Sequence, residues 1–128
     1  MRYDVSFSEL VGLTLVEAGI GSSSDRWNNG ESIFFKTDTG RTFKLYHSQD
    51  CCESVSIEDV NGNWNDLIGS PILLAEESTS DDFQSGEGRD DAYLWTFYRL
   101  ATNKGSVDIR WYGESNGYYG VSVDFAEC

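Results

Sequence analysis

The sequence predicts a mainly β protein. We expect a single domain of about seven or eight antiparallel strands with one or two short helices, in which the strands form an open sheet or a barrel-like sheet. The first observation is a series of short segments in which apolar and polar residues alternate, separated by turn residues such as glycine, asparagine and aspartate. The second is size, because 128 residues with 39% hydrophobic and 14% aromatic content suit one folded domain. We therefore expect residues 1–128 to form one unit.

The chain begins with a predicted helical turn and a strand. Phe7–Gly12 should form the turn, because a serine precedes or follows Phe7 as a cap and Gly12 can end it. Leu13–Ile20 is apolar enough for a first strand. A polar loop then leads to the Asn29-Gly30 turn dipeptide.

A hairpin and a further strand are predicted next. Ser32–Thr37 and Arg41–His47 flank Asp38-Thr39-Gly40, which places glycine in the turn. Ser54–Val60 alternates apolar and polar residues, so it is the following strand. Core-facing positions are expected at Phe35, Phe43, Leu45, Val55 and Ile57, with Ser56 and Glu58 facing outward.

The middle of the chain contains a second short helix and an acidic loop. Asn63–Gly69 is predicted to be helical, with an asparagine cap at its start and glycine at its end. Ile72–Glu77 is expected to be a strand. Ser78–Asp91 has no apolar period, so it is expected to be a loop that is either mobile or an acidic arm for a partner.

Three strands are predicted to end the chain as a meander: Ala92–Ala101, Ser106–Tyr112 and Tyr118–Phe125. The first has apolar residues at both parities, which suits a central strand. In the second, Val107, Ile109 and Trp111 share one face. The aromatic residues near the last turn would either pack the core or form an interface.

The charge of the chain is strongly negative and unevenly distributed. Its formal net charge is −13, and residues 50–91 hold twelve acids and one base, Arg89, which is −11 of that total. Direct binding of nucleic acid is disfavoured, because phosphate contacts need lysine and arginine. A basic partner protein is the natural complement, although acidity can also serve solubility alone. The expected contacts are in the acidic loop: Asp81, Asp82, Glu87, Asp90 and Asp91.

A dense cluster of potential ligands lies at residues 47–53. It contains the single histidine of the chain, two of its three cysteines and two acids. Imidazole and thiolate are ligands that zinc prefers, and a carboxylate can complete the site. The candidate zinc ligands are His47, Cys51 and Cys52, with Asp50 or Glu53 as the fourth.

Two other interpretations of this cluster remain open. Adjacent cysteines point to opposite faces of a regular strand, so a shared ion needs a turn or bulge there. Without one, Cys51 and Cys52 would be small buried residues beside a polar histidine. The third interpretation is a catalytic thiol, which needs His47 to fold back towards a cysteine.

Several segments together have a specific pattern: His47-x-Gln49-Asp50-Cys51-Cys52-Glu53, Asp66-Leu67-Ile68-Gly69-Ser70-Pro71-Ile72, Trp95-Thr96-Phe97-Tyr98 and Arg110-Trp111-Tyr112-Gly113-Glu114-Ser115-Asn116-Gly117-Tyr118-Tyr119. With them, roughly residues 8–125 resemble a family of small uncharacterised proteins of bacteriophages and prophages. The resemblance implies no catalytic residues. Its phage setting implies an inhibitor of host defence, such as an anti-CRISPR protein that blocks Cas9.

The sequence therefore predicts a non-enzymatic inhibitor that binds a basic host protein, with a CRISPR nuclease such as Cas9 as the specific expectation and zinc in a structural role. It is expected in the cytoplasm of the bacterial host, since no apolar run is long enough to span a membrane and no signal sequence begins the chain. The alternatives are a small metal- or thiol-dependent hydrolase that uses His47, Cys51 and Cys52, and a virion-associated structural module.

Overall fold

The computed structural model describes residues 2–22, 31–48, 53–80, 92–115 and 122–128. These residues form two four-stranded antiparallel sheets and two 3-10 helices, Phe7–Leu10 and Trp64–Leu67. The prediction of a mainly β single domain with short helices is confirmed. The eight strands are β1 (Leu15–Ser22), β2 (Glu31–Thr37), β3 (Thr42–Tyr46), β4 (Ser54–Asn61), β5 (Leu74–Thr79), β6 (Ala92–Thr102), β7 (Gly105–Ser115) and β8 (Asp124–Glu127).

The first sheet has the strand order β1-β2-β3-β8 and the second has the order β4-β7-β6-β5. Neither sheet closes into a barrel within the described residues, so the structure is two packed sheets. No helix in the described parts of the chain is long and apolar enough to cross a membrane.

Local turn chemistry explains several element boundaries. Gly40 ends the β2–β3 turn at φ +86°, a left-handed conformation that glycine adopts without strain. The side chain of Asn63 accepts a hydrogen bond of 3.0 Å from the backbone N–H of Asn65 and thereby caps the second 3-10 helix. Gly69, at φ +82°, follows that helix. The turn and cap predictions at these positions are confirmed.

The core lies between the two sheets. Phe35, Phe43 and Leu45 of the first sheet are fully buried, as predicted. They belong to one cluster with Ile109 and Trp111 of the second sheet. The apolar residues at alternating positions of both sheets therefore form the hydrophobic core that stabilises the fold.

One aromatic residue contacts both sheets. The ring of Phe7 lies 4.7 Å from that of Tyr98 in β6, 5.3 Å from that of Phe125 in β8 and 6.3 Å from that of Phe35 in β2, measured between centroids. Tilted and edge-on ring pairs at these distances are favourable. The first 3-10 helix thus covers the core with an aromatic side chain.

The predicted C-terminal meander is wrong at its last strand. β6 and β7 pair along their whole length, but β8 pairs with β3 in the other sheet. Phe125 of β8 opposes Leu45, and this register directs an apolar residue to the core. The short β8 thereby completes the first sheet, so the end of the chain joins the two sheets.

The predicted regular alternation of β4 is interrupted by a bulge. Ile57 opposes Trp111 and Asp59 opposes Arg110, so Glu58 is an extra residue in the ladder. Val55 and Ile57 pack partly buried against the core, as predicted. After the bulge the parity is reversed, so Asp59 faces outward and Val60 packs against the core.

Candidate functional site

The ligand-rich segment 47–53 connects the first sheet to the second, because β3 ends at Tyr46 and β4 begins at Ser54. Its two described ends meet. The Nε2 atom of His47 lies 2.9 Å from Oε1 of Glu53, and Nδ1 lies 2.8 Å from the carbonyl oxygen of Ser122. Both side chains are buried, with 7% of His47 and 4% of Glu53 exposed. The side chains at the two described ends of the segment are therefore hydrogen-bonded to each other.

The hydrogen-bond partners determine where the protons lie. A backbone carbonyl only accepts, so Nδ1 of His47 carries a proton and donates it to Ser122. One further proton must then lie between Nε2 and Glu53, either on an imidazolium beside a carboxylate or on a carboxylic acid beside a neutral ring. In both states the pair is neutral as a whole, which lowers the cost of its burial.

This geometry constrains the predicted zinc site without testing all of its ligands. Asp50, Cys51 and Cys52 lie outside the described residues. Within those residues, no group of three or more histidine, cysteine, aspartate or glutamate side chains is placed to hold a metal. Two ligands of a tetrahedral zinc ion stand about 3.3 Å apart. Zinc bound by His47 and Glu53 would therefore replace their shared proton and separate the two atoms.

The predicted partner-binding acids also lie outside the described residues. Asp81, Asp82, Glu87, Asp90 and Asp91 belong to the segment between β5 and β6. Their role stays a prediction.

A second candidate site lies on the solvent-facing side of the second sheet, which we call the outer face. Strand register arranges most of its side chains in three rows that cross β4, β7, β6 and β5 in that order, and the first row ends at Ser80, the residue just after β5. The aromatic row is Ser56, Tyr112, Trp95 and Ser80; the middle row is Asp59, Arg110, Phe97 and Ser78; the polar row is Asn61, Asp108, Arg99 and Glu76.

Aromatic and guanidinium groups pack on one another across the first two rows. The rings of Trp95 and Tyr112 lie 4.7 Å apart at an interplanar angle of 51°. The guanidinium carbon of Arg110 lies 5.2 Å from the centre of the Trp95 ring, within range of a cation–π interaction. Phe97 follows in the middle row with 38% of its surface exposed. The outer face thus presents aromatic surface to solvent in an ordered arrangement.

Carboxylates exceed cations on this face. Arg99 donates to both oxygens of Asp108, at 2.7 and 3.5 Å. Arg110 lies 3.9 Å from Glu58 at the bulge. The three rows hold the carboxylates of Asp59, Glu76 and Asp108. The face also includes Glu58 at the bulge and Glu114, which lies one row beyond Tyr112. These five carboxylates and the two guanidinium groups of Arg99 and Arg110 give the face a net charge of −3.

The middle and polar rows line an open groove of about 630 Å³. Its size lies within the range of about 300–1,000 Å³ found for ligand sites. Beneath it, burial raises the pKa of the Tyr98 hydroxyl far above its usual range, and partial burial raises the pKa of the neighbouring Glu77 carboxyl. The Tyr98 hydroxyl has no hydrogen bond of normal geometry within the described residues, although Glu77 is close to it.

Sequence reasoning did not identify this face as a site. The alternation of β6 indicated that Trp95 and Phe97 share a side, but two apolar faces suggested only a central strand. The position of β6 next to β7 and β5 confirms that interpretation. The sequence did contain a signal for the outer face. Alternation puts Trp95, Phe97 and Arg99 on one side of β6, and Arg110 and Tyr112 on one side of β7, and the register brings these two sets together. Only the structure shows that Trp111 is buried in the core, whereas Arg110 is exposed and Tyr112 is half-buried on the outer face.

Comparison with protein families places the chain in a family. The family model for a domain of unknown function, DUF7448, matches residues 7–125. The chain belongs to this family. The DUF7448 match runs from the first 3-10 helix to β8, so it contains both the His47–Glu53 pair and the outer face. No curated protein and no solved structure gives a significant match. Membership of an uncharacterised family is therefore confirmed, and a phage setting stays a prediction.

Proposed function

We propose that this protein is a binding module rather than an enzyme, and that it docks onto a basic partner protein through the outer face. The observation that carries the proposal is the exposure of Phe97 beside the packed Trp95, Tyr112 and Arg110 side chains. Tryptophan, tyrosine and arginine are enriched among the few residues that dominate the binding energy at protein interfaces. A rigid sheet also presents them at little cost in conformational entropy.

Charge indicates the class of partner. The outer face has five carboxylates and two guanidinium groups, and the whole chain has a net charge of −13. Such a surface attracts basic proteins over long range and repels nucleic acid. A basic protein is therefore the partner that the face fits best.

The His47–Glu53 pair supports the non-enzymatic part of the proposal. A histidine base must hydrogen-bond its nucleophile through one ring nitrogen, but the nitrogens of His47 lie 2.8 Å from the carbonyl of Ser122 and 2.9 Å from the carboxyl of Glu53. A thiol–imidazole enzyme at this position would have to break one of these buried hydrogen bonds. A structural role, with or without zinc held by His47, Cys51, Cys52 and Asp50 or Glu53, requires no such change.

The narrower form of the proposal is an inhibitor of a host defence nuclease, with Cas9 as the specific candidate. It adds to the outer face the resemblance to phage proteins and the acids of the β5–β6 segment, Asp81, Asp82, Glu87, Asp90 and Asp91. In this form the acids would accelerate the encounter and the aromatic residues would hold the complex.

The proposal is tested by comparing three proteins as baits in a nuclease-treated bacterial lysate. They are the wild type, Phe97→Ser on the outer face, and Ile20→Ser on β1 as a control with 46% exposure. Basic proteins should be retained by the wild type and the control and lost with Phe97→Ser. Equal retention by all three baits would contradict docking through the outer face.

The narrower form has its own direct test. Purified Cas9 with guide RNA should bind the wild-type protein and should cleave target DNA more slowly when that protein is present. The complex of Cas9 with the protein should dissociate as the salt concentration is raised. Cleavage that proceeds at an unchanged rate with excess inhibitor would remove Cas9 as the partner and leave the broader proposal to the lysate comparison.

A further inference from the structure

The groove on the outer face contains two cations, and both are already engaged. Arg99 is held by Asp108 at 2.7 Å, and Arg110 extends over Trp95 in the neighbouring row. Neither guanidinium is therefore free to neutralise the remaining carboxylates of the groove. The space above the middle row stays open to solvent.

Two carboxylates of the groove have no such partner. Within the described residues, Asp59 and Glu76 have no hydrogen-bond donor and no cation within 4 Å, although Arg99 raises the potential near Glu76 from a greater distance. Asp59 lies two strands from Phe97, about 10 Å at the usual strand spacing, and Glu76 lies on the strand next to Phe97. Both carboxylates therefore flank the exposed ring.

The ring of Phe97 is also unpartnered in the described part of the chain. This protein covers other aromatic rings with cations: Lys36 over Phe34, Arg41 over Phe43, Lys44 over Tyr46 and Arg110 over Trp95, all within 5.9 Å. No described cation lies over Phe97, whose ring borders the groove. An exposed ring between two unpaired carboxylates is a site for a cation from outside the chain.

We infer that the groove receives an arginine side chain of the basic partner, which stacks on Phe97 and pairs with Asp59 or Glu76. This inference rests on the proposed function. Arginine fits better than lysine because its planar guanidinium stacks on a ring and directs its donors sideways towards carboxylates. The groove volume of about 630 Å³ also leaves room for the backbone next to that side chain.

The test is a titration followed by NMR on isotope-labelled full-length protein. The probes are three capped tripeptides, Gly-Arg-Gly, Gly-Lys-Gly and Gly-citrulline-Gly. Citrulline keeps the planar shape of arginine without its charge. The arginine peptide should shift the amide signals of the middle and polar rows, and the citrulline peptide should bind roughly tenfold more weakly.

Variants assign the contacts. The double change Asp59→Asn and Glu76→Gln should weaken binding of the arginine peptide about tenfold, and Phe97→Leu about threefold. Asp38→Asn, in the exposed β2–β3 turn, changes charge elsewhere and should have no effect. Signal shifts outside the two rows, equal binding of citrulline, or an unchanged double variant would overturn the inference.

The outcomes separate this inference from the proposed function. If the arginine peptide fails to bind while Phe97→Ser still loses basic proteins from the lysate, the arginine site is wrong and the docking face stands. If the peptide binds in the groove but no protein depends on Phe97, the cation site stands and the proposed function is wrong.

Discussion

His47 and Glu53 form a buried hydrogen bond of 2.9 Å between the end of β3 and the start of β4. The same imidazole donates to the carbonyl of Ser122 just before β8. One side chain therefore connects the crossover between the sheets to the strand that completes the first sheet. Because both side chains are buried, removing either one takes a hydrogen bond from the other in a place where water cannot easily replace it.

Removing the imidazole should destabilise the fold. We expect His47→Ala to lower the free energy of unfolding by about 3 kcal/mol, because it leaves a buried carboxyl group and a backbone carbonyl without this donor. Glu53→Gln should cost less, since its amide can still donate to Nε2 of a neutral ring. Urea denaturation measures both. A loss below about 0.5 kcal/mol for His47→Ala would contradict a structural role.

The zinc hypothesis makes a separate prediction. If Asp50, Cys51 and Cys52 complete a site with His47 and Glu53, untagged protein should contain about one zinc per chain and melt at a lower temperature after chelation. Native mass spectrometry and melting curves with and without chelator measure this. Metal-free protein whose melting is unchanged by chelator would assign the pair to hydrogen bonding alone.

Gly62 should not tolerate a side chain. Its φ is +124°, and an added Cβ would lie 2.5 Å from the carbonyl oxygen of Ser106. We expect Gly62→Ala to cost more than about 2 kcal/mol, since backbone strain and a clash combine. Gly40→Ala is the matched control, because φ is +86° there but the space around it is open. Equal losses for the two variants, measured by urea denaturation, would mean that the contact with Ser106 has no cost.

Stability should fall on acidification partly through Glu127. Arg41 donates to both of its oxygens, at 2.9 and 3.1 Å, and this ion pair holds the pKa of Glu127 below its usual 4.5. A carboxyl whose pKa is lower in the folded state stabilises the fold fully above the unfolded value, and this contribution is lost as the pH falls through the folded value.

Urea midpoints measured from about pH 6 down to about pH 3 test this link. Glu127→Gln should lower stability at the upper end and make the acid-induced loss shallower, so the two curves converge at low pH. Asp38→Asn, which changes an exposed acid in the β2–β3 turn, should leave the slope unchanged. Parallel curves for wild type and Glu127→Gln would contradict the role of this carboxyl.

Much of the fold was predictable from short-range patterns. Alternation placed Phe35, Phe43 and Ile109 in the core, and glycine and asparagine marked the turn at Gly40 and the cap at Asn63. Strand pairing was less predictable, as β8 shows by its pairing with β3. A strand of four residues has little pattern of its own, so distant partners decide its position.

The sequence by itself determined the mainly β class, the two short helices, the acidic charge and the clustering of histidine and glutamate at 47–53. These follow from residue preferences and spacing along the chain. Only the tertiary structure decided that both ring nitrogens of His47 form hydrogen bonds and that Asp59, Phe97 and Glu76 line one groove. The groove is lined by residues of four strands, β4, β5, β6 and β7, and the β4 bulge reverses parity at Asp59. Strand register rather than local pattern therefore creates the site.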